Sequence, residues 1–171
     1  MSRGSGAGAR GYDTFTTVAE NLPYAVMVLT GATLIALALD MSLRAWIAAA
    51  AYAAYGIVGA LWIIVFLCPH CLNYGRRSCP SGYGIISAKL RAKGDTALFN
   101  RQFRRHIPAI VPLWIIPVAI GGVVAVKSFS WALAILLGVF VLNSFVILPL
   151  LSKSHGCKHC PQRAACPWMK K

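Results

Sequence analysis

The sequence predicts an all-α integral membrane protein. Four transmembrane helices form two antiparallel hairpins, both termini are cytoplasmic, and a cytoplasmic loop and tail carry the cysteines. Three observations predict it. The 171 residues are 58% hydrophobic and only 12% charged, against about 25% charged in an ordinary soluble domain, and mean hydropathy is +0.65. Four long apolar runs punctuate the chain, each near the ~20 residues that cross a hydrocarbon core of about 30 Å. Basic residues outnumber acidic ones by 17 to 4, and they gather on one side of the predicted membrane.

Residues 1–21 are rich in Gly, Ser and Thr and poor in large apolar side chains. They read as a flexible N-terminal tail. No apolar core or small-residue cleavage site follows the early arginines, so they do not read as a signal peptide. The first hairpin covers 22–67. Its first run, 22–39, has 18 residues and ends at Asp40; its second, 45–67, has 23 and no charge. Small residues from Ala48 to Ala54 predict close helix packing there.

The second hairpin covers 107–151. The run 107–126 has 20 residues, with prolines at 108, 112 and 117 that remove backbone donors and bend a helix. The run 129–151 has 23 residues, and its only polar members are Ser130, Asn143 and Ser144. Asn143 and Ser144 read as polar glue between helices. Inside lipid every backbone group must bond within its own segment, which makes each run a helix. The connectors 40–44 and 127–128 are short enough that their flanking helices must be antiparallel neighbours.

Fifteen of the 17 basic residues fall in the N-tail, the segment 68–106 and the C-tail 152–171; Arg44 and Lys127 alone fall opposite. The positive-inside bias places the first side in the cytoplasm, where anionic lipid headgroups would meet it. Within 68–106, Gly82 and Gly84 punctuate the chain, and 85–93 and 95–106 are expected to be helical, with Asp95 as an N-cap. Leu98, Phe99, Phe103 and Ile107 share one face, while Arg101, Arg104 and Arg105 lie off it. This basic amphipathic segment either lies in the membrane interface or packs on the protein's own surface.

All six cysteines occur in two similar motifs. Cys68-Pro69-His70-Cys71 is followed by Cys79-Pro80, and Cys157-Lys158-His159-Cys160 by Cys166-Pro167. Each motif closely follows an apolar run, so two distant motifs launched from helix ends on one face can meet. In a reducing compartment structural disulfides are disfavoured, and metal binding or redox chemistry becomes the better reading. Cys68, Cys71, Cys157 and Cys160 could hold one metal or cluster, leaving Cys79 and Cys166 as a pair. Alternatively each motif makes its own site, with His155 completing Cys157, Cys160 and Cys166, and His106 or another group completing the first. A single cubane drawing on a different four of the six is the third solution; two all-cysteine cubanes would need eight thiolates. His70 and His159 sit where a side chain usually points away from the metal, and are expected to hydrogen-bond a thiolate or exchange protons near it.

The Cys-Pro pairs are similar to the pair that closes bacterial ferredoxin motifs, although the full run is absent. The knuckle suits zinc as well. The apolar runs contain no histidine, which argues against a haem with two axial histidines in the bilayer, and no histidine follows a second cysteine as covalent haem attachment requires. No phosphate loop, nucleophile elbow or paired carboxylates appear, and no nucleic-acid-binding motif accompanies the positive charge. The expectation is therefore a non-catalytic subunit rather than a stand-alone enzyme. It would be an electron-transfer subunit or adaptor with an iron–sulfur cluster at the cytoplasmic membrane surface, among partner subunits and within reach of a quinone. A zinc-stapled scaffold and a membrane thiol–disulfide oxidoreductase are the alternatives.

Overall fold

The computed structural model describes residues 12–157, with backbone alone at 155 and 156, together with 160, 161, 163, 166, 167 and 169. No strand occurs among them. Four helices are long and apolar enough to cross a membrane, namely Thr14–Ala38, Leu43–His70, Thr96–Lys127 and Trp131–Ser154. This is the architecture of a multi-pass membrane protein.

Helix α1 (Thr14–Ala38) begins inside the stretch expected to be a tail. Asp13 caps it, accepting from the Thr16 N–H at 3.0 Å, as a side-chain oxygen before a helix should. Residues 14–21 are thus helical rather than tail; this first stretch of α1 is mostly polar, so it carries little hydrophobic signal. A turn with Asp40 and Met41 both at positive φ leads to Ser42, whose hydroxyl caps α2 (Leu43–Phe66). A 3-10 turn, Cys68–His70, continues the same direction. Helix α3 (Tyr83–Leu90) starts two residues before the expected 85 and ends before 93. Asp95 caps the following 3-10 turn, accepting from Ala97 N–H at 2.9 Å, and α4 (Phe99–His106) follows.

Helix α4 runs through a 3-10 turn, Ile107–Ile110, into α5 (Pro112–Lys127). Pro112 stands at the first turn, where a missing N–H costs little. Pro117 lies inside the helix and cannot donate to the Leu113 carbonyl. The Tyr52 hydroxyl takes that place, donating to Leu113 O at 2.7 Å. The last membrane helix is α6 (Trp131–Val141), a π turn Leu142–Ile147, α7 (Leu148–Leu151) and a second π turn Ser152–Gly156.

Helix α1 packs against α2, α5 and α6, and α5 against α6. Met27, Leu34, Ile35, Tyr52, Leu113 and Phe140 form the buried centre. Glycines let the backbones approach: a Cβ on Gly31 would stand 2.6 Å from the Tyr52 Oη, and one on Gly56 2.7 Å from Val28. Such close approach is how helices associate where lipid removes the hydrophobic drive. Outward residues such as Leu29, Ile57, Val123 and Ile135 are apolar and more than half exposed. Asn143 donates to the Pro23 carbonyl of α1 at 2.9 Å, the interhelical role expected of it. Phe99 is buried while Arg101, Arg104 and Arg105 are exposed, and α4 packs on α2.

Candidate functional site

The two cysteine motifs fold alike. In the first, Cys71 N–H donates to Cys68 O at 3.1 Å; in the second, Cys160 N–H donates to Cys157 O at 3.3 Å. Each second cysteine then accepts from the residue three places on, Tyr74 at 3.1 Å and Arg163 at 3.0 Å. Each third cysteine donates to an arginine carbonyl three places back: Cys79 to Arg76 and Cys166 to Arg163, both at 3.4 Å. The sequence echo is therefore also a repeated run of tight turns.

The motifs meet. Cys71 lies within electrostatic reach of Cys160, Cys79 and Cys166, Cys68 of Cys79 and Cys71, and Cys157 of Cys160 and Cys166. All six thiols are free of disulfides and half-buried. Burial pushes the Cys71 thiol up to about 11; an N–H bond from Asn73 works against this, and the neighbouring thiols reinforce it. Burial likewise raises Cys157, helped by Cys160 and Cys166.

Asn73 joins the two motifs, and the sequence reading missed it. Its side chain is 3% exposed. Its backbone N–H bonds the Cys71 sulfur, its Nδ2 donates to Cys160 Sγ at 3.6 Å, and its Oδ1 accepts from Ser78 Oγ at 3.0 Å. The only hint in the sequence is an uncharged amide two residues past a cysteine knuckle. Gly84 fits beneath it: a Cβ there would stand 2.3 Å from the Asn73 carbonyl. The N-terminal end of α1 braces the loop through Tyr12 N–H to Arg77 O at 2.9 Å and Asn21 Nδ2 to Ser81 O at 3.0 Å.

His70 Nδ1 donates to the Asp95 carbonyl at 2.9 Å. His106 Nε2 donates to Gln102 Oε1 at 3.0 Å. The His155 side chain and His159 lie outside the described residues. Among the described residues, no three His, Cys, Asp or Glu groups gather closely enough to hold a metal ion. The donor chemistry still fits a soft metal group: six reduced sulfurs, amide donors aimed at two of them, and a shared buried edge. A single tetrahedral ion, at about 2.3 Å from each sulfur, would need the two turns to close further.

Beneath the cysteines lies a cavity of about 250 Å³ lined by Glu20, Tyr24, Ser81, Tyr83 and Trp114 among others. Tyr83 also neighbours Cys68 and Cys79, and burial followed by those two thiols raises its phenol. An apolar groove of about 540 Å³ adjoins it, sharing Ile107, Ile110, Trp114 and Leu148 and reaching Phe145 and Pro149. Here the π turn matters. Pro149 has no N–H to return to Ser144, so the Ser144 carbonyl accepts from Trp114 Nε1 at 3.2 Å. No family model, curated protein or solved structure matches this chain.

Proposed function

We propose that this protein is an electron-transfer subunit or adaptor of a membrane redox complex, with a cysteine-ligated iron–sulfur cluster at the cytoplasmic membrane surface. Its helices form two antiparallel hairpins with both termini in the cytoplasm. Cys68, Cys71, Cys157 and Cys160 are the preferred ligands, drawn from the two matching turns, with Cys79 and Cys166 completing the set. The observation that carries the reading is Tyr83. It adjoins Cys68 and Cys79 on one side and lines the membrane cavity on the other. A cluster held by the cysteines would supply one-electron transfer. The cavity and its apolar groove have the form a quinone requires, with polar groups at one end and a lipid-facing channel at the other. Glu20, Ser81 and Tyr83 would hold the headgroup.

The test is metal and acid-labile sulfide analysis of protein purified without oxygen, with an absorption spectrum of the same sample. About four iron and four sulfide per chain, with a visible band bleached by dithionite, support the reading. Stoichiometric zinc without sulfide overturns it, and makes the cysteines a staple for a membrane scaffold. Metal-free protein with thiols that cycle through disulfides would instead point to thiol–disulfide exchange.

A further inference from the structure

A second cleft, of about 440 Å³, opens on the other side of the first cysteine motif. Phe66, His70, Arg91, Gln102, Arg105 and His106 line it, and none of the four acidic residues does. It is a built site rather than a loose patch. The segment carrying Arg91 is pinned at both ends, by Arg91 N–H to Ser87 O at 2.9 Å and by Gly94 N–H to Pro69 O at 3.0 Å. The Tyr74 hydroxyl also donates to the Arg91 carbonyl at 2.7 Å. Gly94 is required here, because a Cβ would stand 2.5 Å from the His70 ring. His106 stacks on Phe66 with centroids 4.9 Å apart and planes at 14°. The Arg91 guanidinium carbon lies 6.0 Å from the same Phe66 ring.

Two arginines thus converge beside two histidines at the end of a membrane helix, with no carboxylate in the lining to neutralise the guanidiniums. Asp95, the nearest acid in sequence, spends its carboxylate capping Ala97 N–H. Guanidinium groups pair with phosphate oxygens through charge-assisted, often bidentate hydrogen bonds. The cleft is larger than one phosphate needs. Val65 and Phe66 give it an apolar side, and behind the His106 ring, 5.6 Å away, stands Trp62, 37% exposed on α2. An aromatic at that level marks the membrane interface.

We propose that this cleft binds the phosphate of an anionic phospholipid, with Arg91 and Arg105 as its two cationic arms and the acyl chains descending past Trp62. The site is independent of what the cysteines hold. Occupied, it would fasten the loop between α3 and α4 to the bilayer and fix the height of the first cysteine motif, since His70 and Pro69 line the same cleft.

The experiment uses the full chain in nanodiscs of phosphatidylcholine containing a minor share of phosphatidylglycerol, with retained lipid counted by native mass spectrometry. Arg91→Gln with Arg105→Gln should lower retained phosphatidylglycerol about tenfold, as expected for loss of two charge-assisted pairings. Lys89→Gln with Arg101→Gln removes the same charge outside the cleft and should leave it nearly unchanged. Arg91→Lys with Arg105→Lys should restore part of the binding, and unchanged melting of the Gln pair shows that folding is intact. Equal losses in the two Gln pairs would overturn the proposal, as would inorganic phosphate at millimolar concentration displacing the lipid and binding as tightly on its own. Should the Gln pair fail to fold, Arg91→Gln and Arg105→Gln made singly decide the matter, since each should lower retention and a wild-type level in both would overturn the proposal.

Discussion

Asn73 shows how one side chain can tie a loop to a tail 87 residues away. Replacing it with Ala removes the bond to Cys160 and strands the Ser78 hydroxyl, which should cost about 1–2 kcal/mol and lower metal retention. Asn73→Asp keeps an acceptor for Ser78 but puts a carboxylate beside the Cys160 sulfur, so it should keep the fold better and lose metal more. Thermal melting and metal content of both variants in detergent check this; equal metal content in all three proteins would remove Asn73 from the site. The Cys71 thiol makes a pH prediction. Burial pushes it up to about 11 from the ordinary 9.0. Between these values the unfolded thiol has lost its proton and the folded one has not, so the unfolded state binds fewer protons and stability falls as pH rises. Metal-free, reduced protein should therefore lose melting temperature from about pH 9 to 11, and Cys71→Ser should lessen that slope, the remainder coming from the Cys68 and Cys157 thiols that burial also raises. A wild-type slope retained in Cys71→Ser would assign the loss to another group.

The elements differ in how plainly the sequence announced them. The four apolar runs were legible because nothing but lipid explains so long an absence of charge, and Asp95 was legible as a cap because a short polar acceptor precedes a helical pattern. The start of α1 was not legible: Thr14, Thr16, Thr17 and Asn21 resemble linker, and what makes them helical is the Asp13 cap and the loop they brace. The π turn at Leu142–Ile147 was not legible either, because the run 129–151 is apolar on nearly every side and its period does not mark where the turn widens. Among the cysteines, pattern gave the pairing of motifs, while the amide between them needed coordinates. Helix packing makes its own prediction. Gly31→Ala drives a Cβ into Tyr52, which is 5% exposed and holds the carbonyl that Pro117 leaves open. Overpacking of that kind costs about 1–3 kcal/mol. Gly122→Ala meets nothing within 4 Å and should be neutral or gain up to about 1 kcal/mol from helix propensity. Parallel melting curves test the contrast, and equal loss in both would mean that α1 and α2 do not meet at Tyr52.

At the scale of the whole molecule, charge and chemistry make one claim together. In the proposed two-hairpin arrangement, the side that would hold fifteen of the 17 basic residues would also hold all six cysteines, so orientation decides the compartment in which the thiols work. A reducing cytoplasm keeps them available as soft ligands; the opposite orientation would expose them to oxidation and favour disulfide exchange. Native cysteines are poor reporters of sidedness, because a bound metal would shield them from reagents on either face. Two exposed positions outside the motifs serve better. Lys127→Cys, at the far end of α5, should react with a membrane-impermeant maleimide in intact cells. Arg101→Cys, on the exposed face of α4, should react only after the membrane is opened. The reverse pattern would place the cysteines outside the cytoplasm, and the thiol–disulfide reading would then displace the electron-transfer one.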